Sequence, residues 1–244
     1  PGNLNAPAAV TVAALLYTLR LVADQPLPLN EGLLDAVRLL LPPGLLNPPF
    51  PGDPEGMPAV VGGNTETSQR TVEALLRAFD LVADAQGTMN NLLFGNDRFG
   101  YYETIGGGAG AGPAFDGADG VHTHMTNTAM TDVELLERRY PVRVETLAIR
   151  PDSGGAGRFR GGHGMRKVLT FLDALNLSLV TQHRADGPAG RAGGGHGAPG
   201  RQWIEREHER IDLPAIHGTA VRAGDRLVIE TPGGGGWGTP DQLS

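Results

Sequence analysis

Apolar positions along this 244-residue chain change their period part of the way in. The early spacing is helical, and the later runs are short, β-branched and bounded by Gly, Pro, Asn or Asp. Val10, Ala13, Ala14, Tyr17 and Leu21 follow a helical stripe. With Asn5 suited to an N-cap and Pro7 to a first turn, they predict a helix to about Ala23, ended by Pro26 and Pro28. Val72, Leu75, Leu76, Phe79, Val82 and Ala83 form a second stripe and predict a helix over 65–85, entered through a turn and cap at 62–65. Between them, 29–34 reads as a turn and 36–41 as a buried strand. Residues 42–58 hold seven prolines and three glycines, so neither a helix nor a central strand fits, and an ordered crossing loop is expected.

Gln86-Gly87-Thr88-Met89-Asn90-Asn91 is polar and turn-like. Strands are predicted at about 99–105, 121–126, 142–150, 166–172, 176–182 and 226–230, with a short helix over 133–139 that stops before Pro141. Helices first and strands afterwards is α+β order, with a mainly antiparallel, glycine-rich C-terminal part. The expected organisation is a helical and loop portion over 1–98 and a β-rich portion over 99–244, the two not independent.

Composition narrows the chemistry. There are no cysteines, which removes disulfides, thiolate metal sites and cysteine nucleophiles, and leaves the cytosol as the expected compartment. A net charge of −7 without a basic run argues against nucleic acid, and no apolar run reaches the ~18 residues of a membrane span. The 37 glycines and 19 prolines lack a triplet period and alternate with β-branched runs, which indicates ordered turns and loops. The chain opens on Pro1 and enters a helix almost at once, so it is expected to be a processed or excerpted piece.

Candidate chemistry centres on 101–164. His122 and His124, two apart in a β-prone run, would share a strand face and could hold one divalent ion; the alternative is a pair of structural histidines beside a turn. Asp116 and Asp119 are the only carboxylates close by in sequence, too few for a complete site. Glu103, Asp119 and Asp152 are possible general acid–base groups. Gly106, Gly107 and Gly108 could let backbone amides approach a phosphate or carboxylate, although the run lacks the Gly-Lys-Ser/Thr ending of a P-loop. Arg158 and Arg160 flank a second glycine-rich stretch and suit carboxylate or acyl-phosphate recognition. Ser153 lies in no nucleophile elbow. With 2 Trp and 4 Tyr, a sugar-stacking module is weakly supported.

Three stretches carry a resemblance: Tyr102-Glu103-Thr104-Ile105-Gly106-Gly107-Gly108, Asp119-Gly120-Val121-His122-Thr123-His124-Met125-Thr126-Asn127-Thr128, and Asp152-Ser153-Gly154-Gly155-Ala156-Gly157. They resemble the hydantoinase B/oxoprolinase family, and the likeness runs from Gly2-Asn3-Leu4-Asn5-Ala6-Pro7 to Thr231-Pro232-Gly233-Gly234-Gly235-Gly236-Trp237-Gly238. The match is to the C-terminal half of that family. It implies a subunit of an ATP-dependent cyclic-amide hydrolase, in which a hydantoinase A-type partner spends ATP to phosphorylate a lactam or hydantoin oxygen and this part opens the ring. It also implies a hetero-oligomer, completion by the family's N-terminal half, and a divalent metal, with Mn, Zn and Fe all compatible.

On that reading His122 and His124 are metal ligands and catalytic groups beside Glu103 and Asp119. Gly106, Gly107, Gly108, Asn127, Arg158 and Arg160 contact substrate. Two alternatives stay open: an acetone-carboxylase-like role in ATP-dependent ketone carboxylation, and a non-catalytic assembly module. The chain departs from the family at Ala129-Met130-Thr131-Asp132, where relatives carry Arg-Asn and then Thr-Pro. That departure is compatible with a different ligand or with lost activity.

Overall fold

The computed structural model describes residues 2–23, 25–88 and 90–240; Pro1 and Met89, the latter within the expected 86–91 turn, lie outside them. The chain divides into two compact units, Pro1–Leu81 with His124–Thr126, and Val82–Thr123 with Asn127–Ser244. Among the described residues no helix is long and apolar enough to cross a membrane.

In the first unit, helix α1 (Ala8–Ala23) packs on α2 (Ser68–Ala78) through Ala14, Val72 and Leu76, with Tyr17, Leu81 and Met125 at the margin. Asn5 does not cap α1. Its amide donates to Gly2 O and Ala59 O, at 3.3 and 3.0 Å, and so ties the entry of the chain to the proline-rich loop. The expected helix over 65–85 is shorter. A π turn (Gly63–Thr67) leads into α2, and α2 stops where Asp80 adopts a left-handed backbone (φ 54°). The Leu81 N–H then closes back on Leu76 O at 3.1 Å, the cross-turn bond of a Schellman end. No strand forms at 36–41: Glu31–Ala36 is a 3₁₀ turn, and Leu39 and Leu40 are exposed.

The second unit is a sandwich of two antiparallel sheets. One has the order β2-β1-β5-β8, built from β1 (Asn90–Asn96), β2 (Phe99–Ile105), β5 (Leu175–Val180) and β8 (Ile216–Val221). The other has the order β3-β4-β9-β6-β7, from β3 (Val142–Ile149), β4 (Met165–Phe171), β6 (Arg201–Arg206), β7 (Glu209–Asp212) and β9 (Arg226–Glu230). Alternate residues face inward, which gives one core of Leu92, Phe94, Tyr101 and Leu177 from the first sheet against Leu169, Phe171, Leu227 and Ile229 from the second. Helix α3 (Val133–Arg139) is capped by Asp132, which accepts from Leu135 N at 3.1 Å, and buries Leu136 in that core. Met130 packs there too.

The strands do not stop at the glycines. β2 runs on into 106–111, β9 into 231–238, and 159–164 and 194–200 lead into β4 and β6. These extended segments bundle around 231–238, whose backbone bonds repeat every three residues. Gly233 and Gly236 donate to Ala198 O and Gly195 O of one neighbour. Gly234 and Trp237 donate to Gly162 O and Phe159 O of a second, and Gly235 donates to Asp84 O. A three-residue repeat in which successive bonds go to different neighbouring segments follows the period of polyproline II, not a β ladder. Such close backbones leave no room for side chains: a Cβ on Gly233 would overlap Ser153 O, and one on Gly234 would overlap Ala109 O.

The expected strand at 121–126 is therefore replaced by a single bridge between Val121 and Gly107, followed by a turn. Strand β1 is not expected either: Asn90 and Asn91, which the sequence places in a turn, open it because their backbones pair with β2 and β5. Strands β6, β7 and β8 escaped the sequence pattern because charged or exposed residues interrupt their apolar alternation. Gly234→Ala is expected to cost more than the ~1–3 kcal/mol usual for overpacking, or to prevent folding. Gly100→Ala, where a Cβ would meet nothing within 4 Å, should be near neutral. Urea unfolding of both variants checks this.

Candidate active site

The ends of β1, β2, β4, β5, β6 and β9 meet the glycine bundle at one level, and buried polar residues collect there. Register places Asn90 opposite Ile105, Asn91 opposite Val180, and Glu230 opposite both Arg166 and Arg201. Thr231, fully buried just past β9, accepts from Met165 N at 2.7 Å and donates to Gly106 O at 2.8 Å, stapling the two sheets where they enter the bundle. Asn90 donates to Gln86 Oε1 at 2.5 Å, and Gln86 reaches Val121 O at 3.5 Å.

Just beyond Val121, His122 has its Nε2 2.8 Å from Thr104 O. A carbonyl only accepts, so Nε2 is the donor, and the neutral tautomer that fits this bond carries its lone pair on Nδ1. That is the arrangement of a general base, or of a metal ligand oriented by a backbone carbonyl. His124 belongs to the other unit and is left-handed (φ 50°), so the strand alternation that would have paired the two rings does not operate. Its Nδ1 lies 3.3 Å from Tyr17 Oη, the rings meet edge to face, and the next residue, Met125, donates its N–H to buried Gln69 at 2.9 Å. Burial pushes the His124 imidazole down to about 4, so the ring is neutral at pH 7.

Glu103 is not placed as an acid or base toward solvent. It sits inside the sandwich at 3% exposure, 2.5 Å from Nζ of Lys167, the chain's one lysine, itself 1% exposed. The Tyr101 hydroxyl donates to the same carboxylate oxygen at 2.8 Å and lies 2.9 Å from Thr131 Oγ1. Burial, with the neighbouring carboxylate in support, raises the phenol well above its usual range. Thr131, within the departure at 129–132, thus completes a buried polar cluster.

Asp119 and Arg160 are brought together at 2.9 Å, and the same Asp119 oxygen accepts from His163 N at 2.7 Å. Burial opposes ionisation of Asp119, but these two donors hold its carboxyl below the usual range. Both partners are about one-third exposed, so the pair contributes little to stability. Arg158 lies over the Phe159 ring at 5.7 Å, Asn127 is exposed without a side-chain hydrogen bond, and Asp152 is exposed in a left-handed turn (φ 57°). Gly106, Gly107 and Gly108 face Gly120 O, the Gln86 side chain, and the backbone of Gly162 and Gly234 respectively. The room freed by their missing Cβ atoms is filled by this chain's own atoms, not left for a ligand.

Among the described residues no group of three His, Asp or Glu side chains is close enough to hold a metal ion. A metal ion held through Nδ1 of His122 would draw the rest of its coordination sphere from groups beyond the described residues. Arg184 and Gln202 have no local signal in sequence; with Gln86 and Asn90 of the polar 86–91 stretch they form a polar set assembled from three separate stretches.

A model of the hydantoinase B/oxoprolinase family matches residues 1–240. The chain is 46% identical over 239 residues to 5-oxoprolinase 1 of Arabidopsis thaliana, covering 98% of this chain and 18% of that protein. It is 42% identical over 244 residues to 5-oxoprolinase of Dictyostelium discoideum, covering 99% and 19%. It therefore spans about a fifth of the length of these curated relatives. The crystal structure of ATP-dependent caprolactamase from Pseudomonas jessenii superposes with a TM-score of 0.79 at 27% identity, over 97% of this chain and 44% of that one.

Because His124 binds its proton more weakly folded than unfolded, the unfolded state holds more protons between about pH 6.5 and 4. Stability is thus complete above pH 6.5 and falls as pH drops toward 4. His124→Gln should flatten that slope in denaturant titrations run across the window. Separately, Glu103→Gln should destabilise by ~3–5 kcal/mol, because it strands a buried ammonium, whereas Glu103→Leu with Lys167→Met should recover most of that loss in the same assay.

Proposed function

The chain belongs to the hydantoinase B/oxoprolinase family, and from that premise we propose that it forms part of the ring-opening component of an ATP-dependent cyclic-amide hydrolase. The observation that carries this reading is the collinear match to 5-oxoprolinases across nearly the whole chain at 42–46% identity. Caprolactamase, a second protein whose name denotes a lactam substrate, shares the fold above 25% identity. The complete enzyme, on this reading, includes an ATP-using hydantoinase A-type partner and further sequence of the family, and acts on a five-membered lactam or imide such as 5-oxoproline.

The chemistry needs activation first. An amide resists water until its oxygen becomes a better electron sink, and phosphorylation of that oxygen by the partner supplies this. Water then adds to the activated carbon and passes its proton to a base. The adduct expels the ring nitrogen, which takes up a proton, and leaves an acyl phosphate that a second water hydrolyses. His122 fits the base: Nε2 is engaged by Thr104 O, so the ring is oriented and Nδ1 is free to accept. The Asp119–Arg160 pair fits a positioning role for the loop that follows Asp119. A divalent metal, if the assembly carries one, would lower the pKa of the attacking water, with His122 as the ligand this chain provides.

His122→Ala in the complete assembly should lower ATP-dependent release of glutamate from 5-oxoproline by ~10²–10⁴-fold, with circular dichroism unchanged. ATP consumption should persist, since phosphorylation belongs to the partner. Unaltered glutamate release would overturn the role of His122 and point to an assembly role for this chain.

A further inference from the structure

Arg184 stands out among the cations of the second unit. Its Nε donates to Gln202 Oε1 at 3.1 Å, and its Nη1 donates to Asn90 Oδ1 at 3.0 Å and to Gln182 O at 2.5 Å. All three acceptors are neutral. Nη2 is enclosed and has no hydrogen-bond partner. Arg184 makes no ion pair among the described residues, whereas its neighbour Arg150 reaches Glu230 at 3.4 Å and shares it with Arg166 and Arg201. Burial and the repulsion of Arg150 pull the Arg184 guanidinium down to about 9, far below its ordinary value. A desolvated charge without a counter-ion is costly, and proteins keep one where an anion completes it.

Space for that anion lies beside it. A solvent-open cleft of about 680 Å³ is lined by Gln182, His183, Arg184, Ala185, Asp186 and Ala215. His183 adopts a left-handed backbone (φ 50°) at the start of this loop, a conformation with local strain for a residue bearing a Cβ. Behind Arg184 the contacts run without a break: Asn90 binds Arg184 and Gln86, and Gln86 reaches the carbonyl of Val121, the residue before His122.

We propose that Arg184 anchors a carboxylate-binding site at the Gln182–Asp186 cleft, occupied by the carboxylate of the ring-amide substrate. The site stands on the uncompensated guanidinium, and only the identity of its occupant rests on the proposed ring-opening function. A carboxylate fits better than a phosphate dianion. One amino group of Arg184 is unpartnered, and the exposed Asp186 at the rim repels a second negative charge. Since Nη2 is enclosed, binding is accompanied by a shift of the Gln182–Asp186 loop.

The test is a calorimetric and NMR titration of the complete protein with 5-oxoproline, its neutral counterpart 2-pyrrolidinone, acetate, and inorganic phosphate. Affinity for 5-oxoproline and acetate should fall about tenfold to hundredfold in Arg184→Gln, the range of a lost charge-assisted hydrogen bond. Arg184→Lys should lose less, and any weak 2-pyrrolidinone binding should not respond. Amide shifts on adding 5-oxoproline to the unmodified protein should centre on residues 182–186, a readout that does not depend on the variants folding. Equal carboxylate affinity in Arg184→Gln, shifts centred elsewhere, or preferential phosphate binding would each overturn the assignment. Arg184-dependent acetate binding without a response to 5-oxoproline would support the site while counting against the ring-opening reading.

Discussion

The structure depends on how closely its backbones approach one another around residues 231–238. The N–H groups of Gly233 to Gly238 each find a carbonyl on a neighbouring segment, and the three-residue repeat sends successive bonds in different directions. This satisfies a buried backbone as completely as a sheet would, without confining the chain to a plane. The cost is composition. At such spacing only glycine, with alanine where a gap allows, can occupy the inner positions.

Positions in the site follow from that packing. Strands that continue as glycine-lined segments end in register, so the first or last residues of β1, β2, β4, β6 and β9 form a polar layer between the apolar sandwich and the bundle. Thr231 ties the layer together by accepting from one strand and donating to another. His122 enters it from the bridge at Val121 with Nε2 already committed to Thr104 O. Deeper in, the Glu103–Lys167 pair is neutralised within the sandwich and holds the two sheets in one register instead of facing a substrate.

Much of the fold was legible. Strand β9 lies where its β-branched run predicted it, α3 begins at the Asp132 cap, and β2 to β5 match their apolar alternation within a residue or two. The departures have identifiable causes. Residues 36–41 look like a buried strand by apolarity alone, yet among the described residues no strand pairs with them, and after the 3₁₀ turn ends at Ala36 they stay irregular. The 65–85 stripe continues past Ala78 in sequence, but the left-handed Asp80 ends the helix and frees 83–86 to join the bundle. The His-x-His reading assumed a strand, and the turn at His124 removed its premise.

The sequence by itself determined the family, the α+β order, the absence of cysteine chemistry and the importance of the glycine-rich stretches, because motif order, period and composition are local properties. Only the tertiary structure decided what the glycines do, which carboxylate is buried, and which arginine lacks a counter-charge. Those outcomes turn on contacts between segments tens of residues apart. Glu103 meets Lys167 and Arg184 meets Asn90 only after the sheets have packed, and the packing pairs one buried charge with a counter-ion and gives the other neutral acceptors.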